Sequence, residues 1–548
     1  MSGQNFDFIN PIIQINSGKI RGKLNEDVRG GKFYSFLGIP YAKPPIGDLR
    51  FKAPIPVDPW LGIFEALEPG NVSIQPNYLT KQIDGSEDCL NLNVHTPCLP
   101  NLHAPKTSLK PVMVFVHGGS FLTGSNHKDL HGPEILISEN VVIVEINYRL
   151  GILGFLNLED PKLEVPGNAS FKDMVLSLKW IQKNIKNFNG DPENVTIFGN
   201  SAGAASVHFL VLSPMAKGLF HKALCQSGSA LSSWAYAFQS NQPMAKALGL
   251  GEVSDEELYR YLKEASVEEI FKAQTMIDEE TVKCNRARLV GAVVEPQTYK
   301  GEKFFKEHPV KLLLSGRYTS VPLLMGYNSG DGMIVDGMVA PEMNYIYWTD
   351  KEHNVPGLLN LPKGSLLSKQ LGEEIVKFYF GKGPYSRETH LKQFYDITTD
   401  NSFLRGIFSS IKHHRRTSNA PIYMYRLSLE SDLCFYKNII QIELPGVCHV
   451  DEMGYLFTTL FTETPSKGTI EDITQRKMCR MWANFARYGN PTPFKDALLG
   501  IIWEPVVNPN KVAFLDIGDC LKIEYNPEEE RMTFWDRIYS SGKLESKL

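Results

Sequence analysis

Between Ile197 and Ser206 the chain reads IFGNSAGAAS, with a glycine two positions to either side of Ser201. The apolar run NVTIF (194–198) before it has the make-up of a short buried strand, and AGAASVHFLVL (202–212) after it that of a helix. Ser201 therefore falls at a sharp strand-to-helix corner, where Gly199 and Gly203 keep Cβ atoms out of the tight crossing. Such a corner lifts a hydroxyl clear of a sheet. A serine hydroxyl is barely nucleophilic at neutral pH, so it needs an imidazole to take its proton and a carboxylate to hold that imidazole in one tautomer. The chemistry in prospect is covalent catalysis at an acyl carbon.

Where this corner is used, the acid and then the histidine follow the serine in chain order, in loops after strands. MGYNSGDGM (325–333) follows the strand-like VPLLM and sets Asp331 in a glycine-flanked turn. LPGVCHVDEMGYLF (444–457) sets His449 about twenty residues after the strand-like PIYMYRLSL. Upstream, VFVHGGSF (114–121) leaves a strand and enters a glycine-rich turn of the kind whose backbone N–H groups stabilise a tetrahedral oxyanion. Taken singly, Asp331 is equally a surface turn, His449 an ordinary histidine and the Gly-Gly pair a plain turn. Their joint occurrence in the required order, each after a candidate strand, is what carries weight.

The elements that must position these residues are short apolar runs alternating with helical segments. KPVMVFV (110–116), VVIVEIN (141–147), NVTIF (194–198), VPLLMG (321–326) and PIYMYRLSL (421–429) suit a mostly parallel sheet covered on both faces. In SFKDMVLSLKWIQKNIKNF, Phe171, Met174, Val175, Leu178, Ile181 and Ile185 recur at three- and four-residue steps, one face of a helix that Gly190 and Asp191 are expected to end. Alternating strand and helix predicts a doubly wound α/β architecture with ligands outside the carboxyl ends of the strands. No repeat or Gly/Ser linker divides the 548 residues, so one domain is expected over 1–548, with a helix-rich insertion around 351–416 packed on the sheet.

Hydrophobic residues at 43% and charged residues at 22% fit a globular chain with a large core. A net charge of −4 and a pI near 6.4 offer phosphates no basic field, which argues against nucleic acid as a partner. No basic start with an apolar core opens the chain, and no run of about 18 apolar residues occurs, so a protein that is neither secreted nor membrane-spanning is expected. The eight cysteines are widely spaced without a CxxC pair, which reads as free thiols of a cytoplasmic protein, with neither disulfide frame nor metal cluster. The glycosylation sequons at Asn71, Asn168 and Asn194 are then chance matches. Ser546-Lys547-Leu548 spells a peroxisomal address; the alternative is a solvated tail.

Several longer blocks carry a resemblance. FLGIPYAKPPIGDLRFKAP (36–54), SEDCLNLNV (86–94), NYRLGILGFL (147–156), VPGNASFKDMVLSLKWIQKNI (165–185) and the elbow itself are similar to blocks of the type-B carboxylesterases of the cholinesterase superfamily, and among them to the insect cytosolic alpha-esterases. The resemblance runs from about Ile15 to the end and implies an α/β-hydrolase fold, no cofactor or metal, and a small apolar ester as substrate. It implies Ser201 as nucleophile, His449 as general base and then acid, and Asp331 as the orienting carboxylate, where the family more often has glutamate. The oxyanion loop would be Gly118-Gly119-Ser120, with donors on Gly119, Ser120 and Ala202; Ser120 stands where a third glycine is usual, and Asn200 where glutamate is. Trp234 would line the acyl pocket, and Leu289 and Val290 would form another wall, smaller than the usual phenylalanine and so leaving more room. Two other readings belong beside the hydrolase: a slow-turnover scavenger that acylates or phosphorylates at Ser201, and a non-catalytic binding relative.

Overall fold

The computed structural model describes residues 9–77, 82–100, 109–237, 241–284, 288–338 and 345–541. The tripeptide Ser546-Lys547-Leu548 and the side chain of Cys284 lie outside the described residues. The chain builds an 11-stranded mixed sheet. Its strands are β1 (Lys23–Glu26), β2 (Lys32–Pro40), β3 (Asn91–Thr96), β4 (Lys110–Val116), β5 (Val142–Ile146), β6 (Gly190–Asn200), β7 (Lys222–Gln226), β8 (Leu323–Asn328), β9 (Ile422–Leu427), β10 (Ala513–Ile517) and β11 (Leu521–Tyr525). Their spatial order is 11-10-9-8-7-6-4-5-3-2-1. From β10 through β5 every neighbouring pair is parallel, and the outer pairs are antiparallel. The runs expected as strands all lie in this parallel centre, and each is almost wholly buried. This is the mostly parallel sheet of the α/β-hydrolase fold.

Strand order decides where a ligand can sit. The chain steps from β4 to β5 on one side, then returns to place β6 on the other side of β4. That reversal makes the carboxyl ends of β4 and β6 the topological switch point, where loops diverge and leave a crevice. The first of those ends runs into His117-Gly118-Gly119-Ser120 and the second into Ser201.

Among the described residues, eight helices of at least 11 residues accompany the sheet: α1 (Ala169–Asn184), α2 (Ala202–Leu212), α3 (Val267–Cys284), α4 (Leu366–Phe380), α5 (Arg387–Thr398), α6 (Arg405–Thr417), α7 (Ile470–Tyr488) and α8 (Glu529–Ser541). α1 stops earlier than its glycine signal suggested: a 3-10 turn continues it to Phe188, the left-handed Asn189 (φ 64°) ends the turn, and Gly190 already opens β6. α2 is buried along its whole length, which its Ala- and Leu-rich sequence permits. The region expected as a helix-rich insertion contains α4, α5 and α6, and between α5 and α6 the chain makes a π-turn, Thr399–Leu404. Asn168, one of the three sequons, is fully buried and clamps the backbone of Val293 through both side-chain atoms, so it offers no surface for a glycan. Cys89, Cys98, Cys225, Cys434, Cys448, Cys479 and Cys520 are free thiols.

Candidate active site

Ser201 is the residue between β6 and α2, held at φ 55° and ψ −124°, a conformation that side chains seldom adopt. The crossing tolerates no Cβ on either flanking glycine. One on Gly199 would meet Val116 O and approach the Gly203 carbonyl carbon to 2.8 Å, and one on Gly203 would run into the backbone of Val116 and His117. The Ser201 N–H is fixed by Gln226 O at 2.8 Å, which ties the elbow to β7. A methyl group on Gly118 would come within 3.0 Å of Ser201 Cβ, so the glycine loop lies directly against the elbow.

The loop and the elbow are also joined by a hydrogen bond: the Gly118 N–H donates to Asn200 Oδ1 at 3.0 Å. Asn200, where the family pattern has glutamate, thus holds the glycine loop in place. Gly118 therefore belongs to the loop without offering its amide. The N–H groups of Gly119, Ser120 and Ala202 have no acceptor among the described residues, which leaves three backbone donors beside Ser201. Ser120 does carry its side chain in the left-handed region, at φ 59°, next to Gly119 at φ 103°.

Asp331 and His449 meet because the loops after β8 and β9 continue the parallel pairing of their strands. Gly330 bridges Cys448, the Gly330 N–H donates to Val447 O at 2.8 Å, the Val447 N–H donates to Ser329 Oγ at 3.0 Å, and Asn328 Nδ2 donates to Cys448 O at 2.8 Å. His449 Nδ1 then lies 2.9 Å from Asp331 Oδ1, while Asp331 Oδ2 accepts the Asn328 N–H at 3.1 Å. Aspartate, one methylene shorter than the usual glutamate, reaches the imidazole because this seam brings the turn close. Asp331 is 0% exposed and His449 3%. A carboxylate only accepts, so Nδ1 carries the hydrogen and Nε2 presents a lone pair, and Nε2 has no hydrogen-bond partner among the described residues.

The surroundings of this pair were not visible in the sequence. Phe403, on the π-turn, packs its ring 4.4 Å from the His449 ring, and Trp234 packs 6.1 Å from Phe403 while its indole N–H donates to Ser402 O at 2.8 Å. The same turn reaches the acid: the Gly332 N–H donates to Thr399 Oγ1 at 2.8 Å. A second carboxyl, Glu452, is buried beside the pair, accepting from Asn328 Nδ2 at 2.6 Å. Burial pushes Glu452 up to about 7, the charge of His449 pulls it down and that of Asp331 raises it. Glu452 is thus poised between neutral and charged near neutral pH.

The segment expected as the second pocket wall is buried. Leu289 is 1% exposed inside a satellite apolar cluster with Ile152 and Leu153, and Val290 is 0% exposed in the main core. The neighbour that keeps exposed surface is Arg288, whose Nη2 donates to Ser120 O at 3.0 Å.

A family model described as the carboxylesterase family matches residues 9–535. A juvenile hormone esterase of Heliothis virescens is 30% identical over 97% of this chain and 95% of its own length. Esterase FE4 of Myzus persicae is 35% identical over 90% of this chain and 87% of its own. Among solved structures, that of the juvenile hormone esterase from Manduca sexta with OTFP covalently attached superposes with a TM-score of 0.85, at 29% identity, covering 97% of this chain and all of that one.

Proposed function

The chain belongs to the carboxylesterase family and is a carboxylic ester hydrolase, and from that premise we propose that it works through an acyl-enzyme on Ser201. Ser201 Oγ attacks the ester carbonyl carbon as its proton passes to His449 Nε2. The oxygen that gains charge is met by the amides of Gly119, Ser120 and Ala202. The alcohol departs with the proton held on Nε2, and a water activated by the same nitrogen releases the acid and restores the serine. Asp331 keeps Nδ1 protonated and steadies the imidazolium that forms. Each step uses side chains and backbone of this one chain, which we take as a single catalytic unit over 1–548.

One observation supports this reading above the others: a buried histidine bonded to a carboxylate at 2.9 Å, with its second nitrogen bare, in a fold that sets a strained serine beside three unengaged amides. The substrates are small esters, whose apolar part meets Trp234 on the wall next to Phe403. The test is hydrolysis of a panel of 1-naphthyl and p-nitrophenyl esters by the wild type and by Ser201→Ala. Activity is expected to fall by about 10³-fold or more in the variant, and equal rates in both would remove Ser201 from the mechanism. Steady turnover after the first acylation identifies a hydrolase, whereas a stoichiometric burst followed by silence identifies a scavenger. The same reading places the protein in the reducing interior of the cell, which its free thiols support. Peroxisomal delivery is tested by imaging the full chain with and without Ser546-Lys547-Leu548.

No helix among the described residues is long and apolar enough to cross a membrane.

A further inference from the structure

Arg288 lies where the strand-like end of one wall meets the oxyanion loop. It forms an isolated parallel bridge with Ala237, three residues after Trp234, and its Nη2 donates to the carbonyl of Ser120 at 3.0 Å. Ser120 supplies one of the three unengaged amides, so the guanidinium is separated from an oxyanion donor by a single residue's backbone. A guanidinium has five N–H donors in a planar fork, and only this bond is made among the described residues. Nε and Nη1 have no hydrogen-bond partner among the described residues, and the residue as a whole is part-exposed. No carboxylate among the described residues lies within ion-pair distance; Asp278, on α3, acts on the guanidinium only at longer range.

An anchor for the Ser120 carbonyl would need one neutral donor. A cation with most of its donors unengaged among the described residues, bonded to the loop that carries an oxyanion donor, is a recognition group. We propose that Arg288 makes this esterase selective for esters that carry a carboxylate besides the ester bond, the guanidinium fork receiving that second carboxylate. Burial lowers the proton affinity of Arg288 and the charge of Asp278 restores only part of it, so an incoming anion supplies what solvent does not. The carboxylate can belong to the acyl part, as in half-esters of dicarboxylic acids, or to the alcohol part, as in acetoxy acids. This inference rests on the Ser201 reading.

The test compares kcat/KM for monomethyl succinate, glutarate and adipate with methyl butyrate and pentanoate, and for 4-acetoxybutanoate with butyl acetate, in the wild type, Arg288→Gln and Arg288→Lys. The ratio of charged to neutral substrate is expected to favour the charged one in at least one of the two series, and to fall on the order of tenfold to a hundredfold in Arg288→Gln, the worth of one charge-assisted pair. Arg288→Lys is expected to retain part of it. The series that responds assigns the carboxylate to the acyl or the alcohol side. A wild type without preference in either series, or a Gln variant that loses charged and neutral substrates by the same factor, overturns the proposal and leaves Arg288 a loop anchor. Should the Gln variant not fold, inhibition of the wild type decides: glutarate is expected to inhibit at least about tenfold more strongly than butyrate, and equal inhibition overturns the assignment. Ser201→Ala is run beside these, because hydrolysis surviving in it would sink the underlying mechanism and not the role of Arg288.

Discussion

The pairing of Asp331 with His449 is specified atom by atom, and that makes it sensitive to an isosteric change. In Asp331→Asn, the amide oxygen is drawn to the Asn328 N–H that Oδ2 now accepts, so the amide nitrogen faces His449 Nδ1. A donor there forces the imidazole hydrogen onto Nε2, where the lone pair is needed. We expect kcat to fall by about 10³ to 10⁴ with an unchanged near-UV circular dichroism spectrum; a loss smaller than about tenfold would show that Asp331 does not set the tautomer. Ser201, Asp331 and His449 were legible as candidates because an elbow, an acid turn and a histidine loop occur together in the required order, each after a candidate strand. Arg288 was not, since an arginine in an apolar stretch looks like any other until Ser120, 168 positions away, is seen to accept from it. Asn200 reads as a lost charge in sequence and as a tether once its bond to Gly118 is known.

Among the elements, the π-turn Thr399–Leu404 does more than connect α5 to α6, because it touches the acid turn, the imidazole and Trp234 through three successive parts of its length. π-turns recur at functional sites, where one extra residue per turn redirects side chains. Thr399→Val removes the oxygen that receives the buried Gly332 N–H. The expected cost is about 1–3 kcal/mol of stability, with a loss of kcat as the Asp331 turn loosens, and Thr399→Ser should recover most of both. Equal urea midpoints for the Val and Ser variants would contradict this. No pattern in TDNSFL announces a π-turn, and the edge strands were equally silent. β11 (LKIEY) and β1 (KLNE) are part-exposed edge strands without a clean alternation. β3 (NLNVHT) is fully buried yet polar in composition, because Asn93, His95 and Thr96 find partners in Asn126 O, Ser35 Oγ and Phe188 O. The parallel centre was readable because a strand buried on both faces has to be apolar throughout.

At the scale of the whole molecule, burial shifts two sets of groups in ways that oppose each other. It holds His117, His308 and His353 down to about 4 and His131 and His208 to about 3, and it raises Asp278 to about 6, Asp400 and Glu452 to about 7, and Asp451 to about 8. Between about pH 4 and 6.5 the unfolded chain protonates its histidines while the folded one does not, so stability gained from the imidazoles grows as pH rises. The raised carboxyls act oppositely: the folded chain keeps protons that the unfolded chain has shed, and their contribution is lost progressively as pH rises from about 4, the ordinary carboxyl range, to about 6 to 8. Between about 6.5 and 8 the second effect prevails, and above about 8 Lys222, held down to about 8 by burial, acts as the histidines do. The urea midpoint is expected to peak near pH 6.5 and decline towards pH 8, and a midpoint still climbing over that upper range would refute the balance. Finally, the seam at Gly330 and Cys448 unites positions far apart in the chain, His449 and Asp331 being 118 residues distant from one another. Loop closures of that span come late and depend on the intervening strands being docked. On the mechanism proposed above, hydrolytic competence arrives only with that registration, so a copy in which this seam is still open is chemically mute.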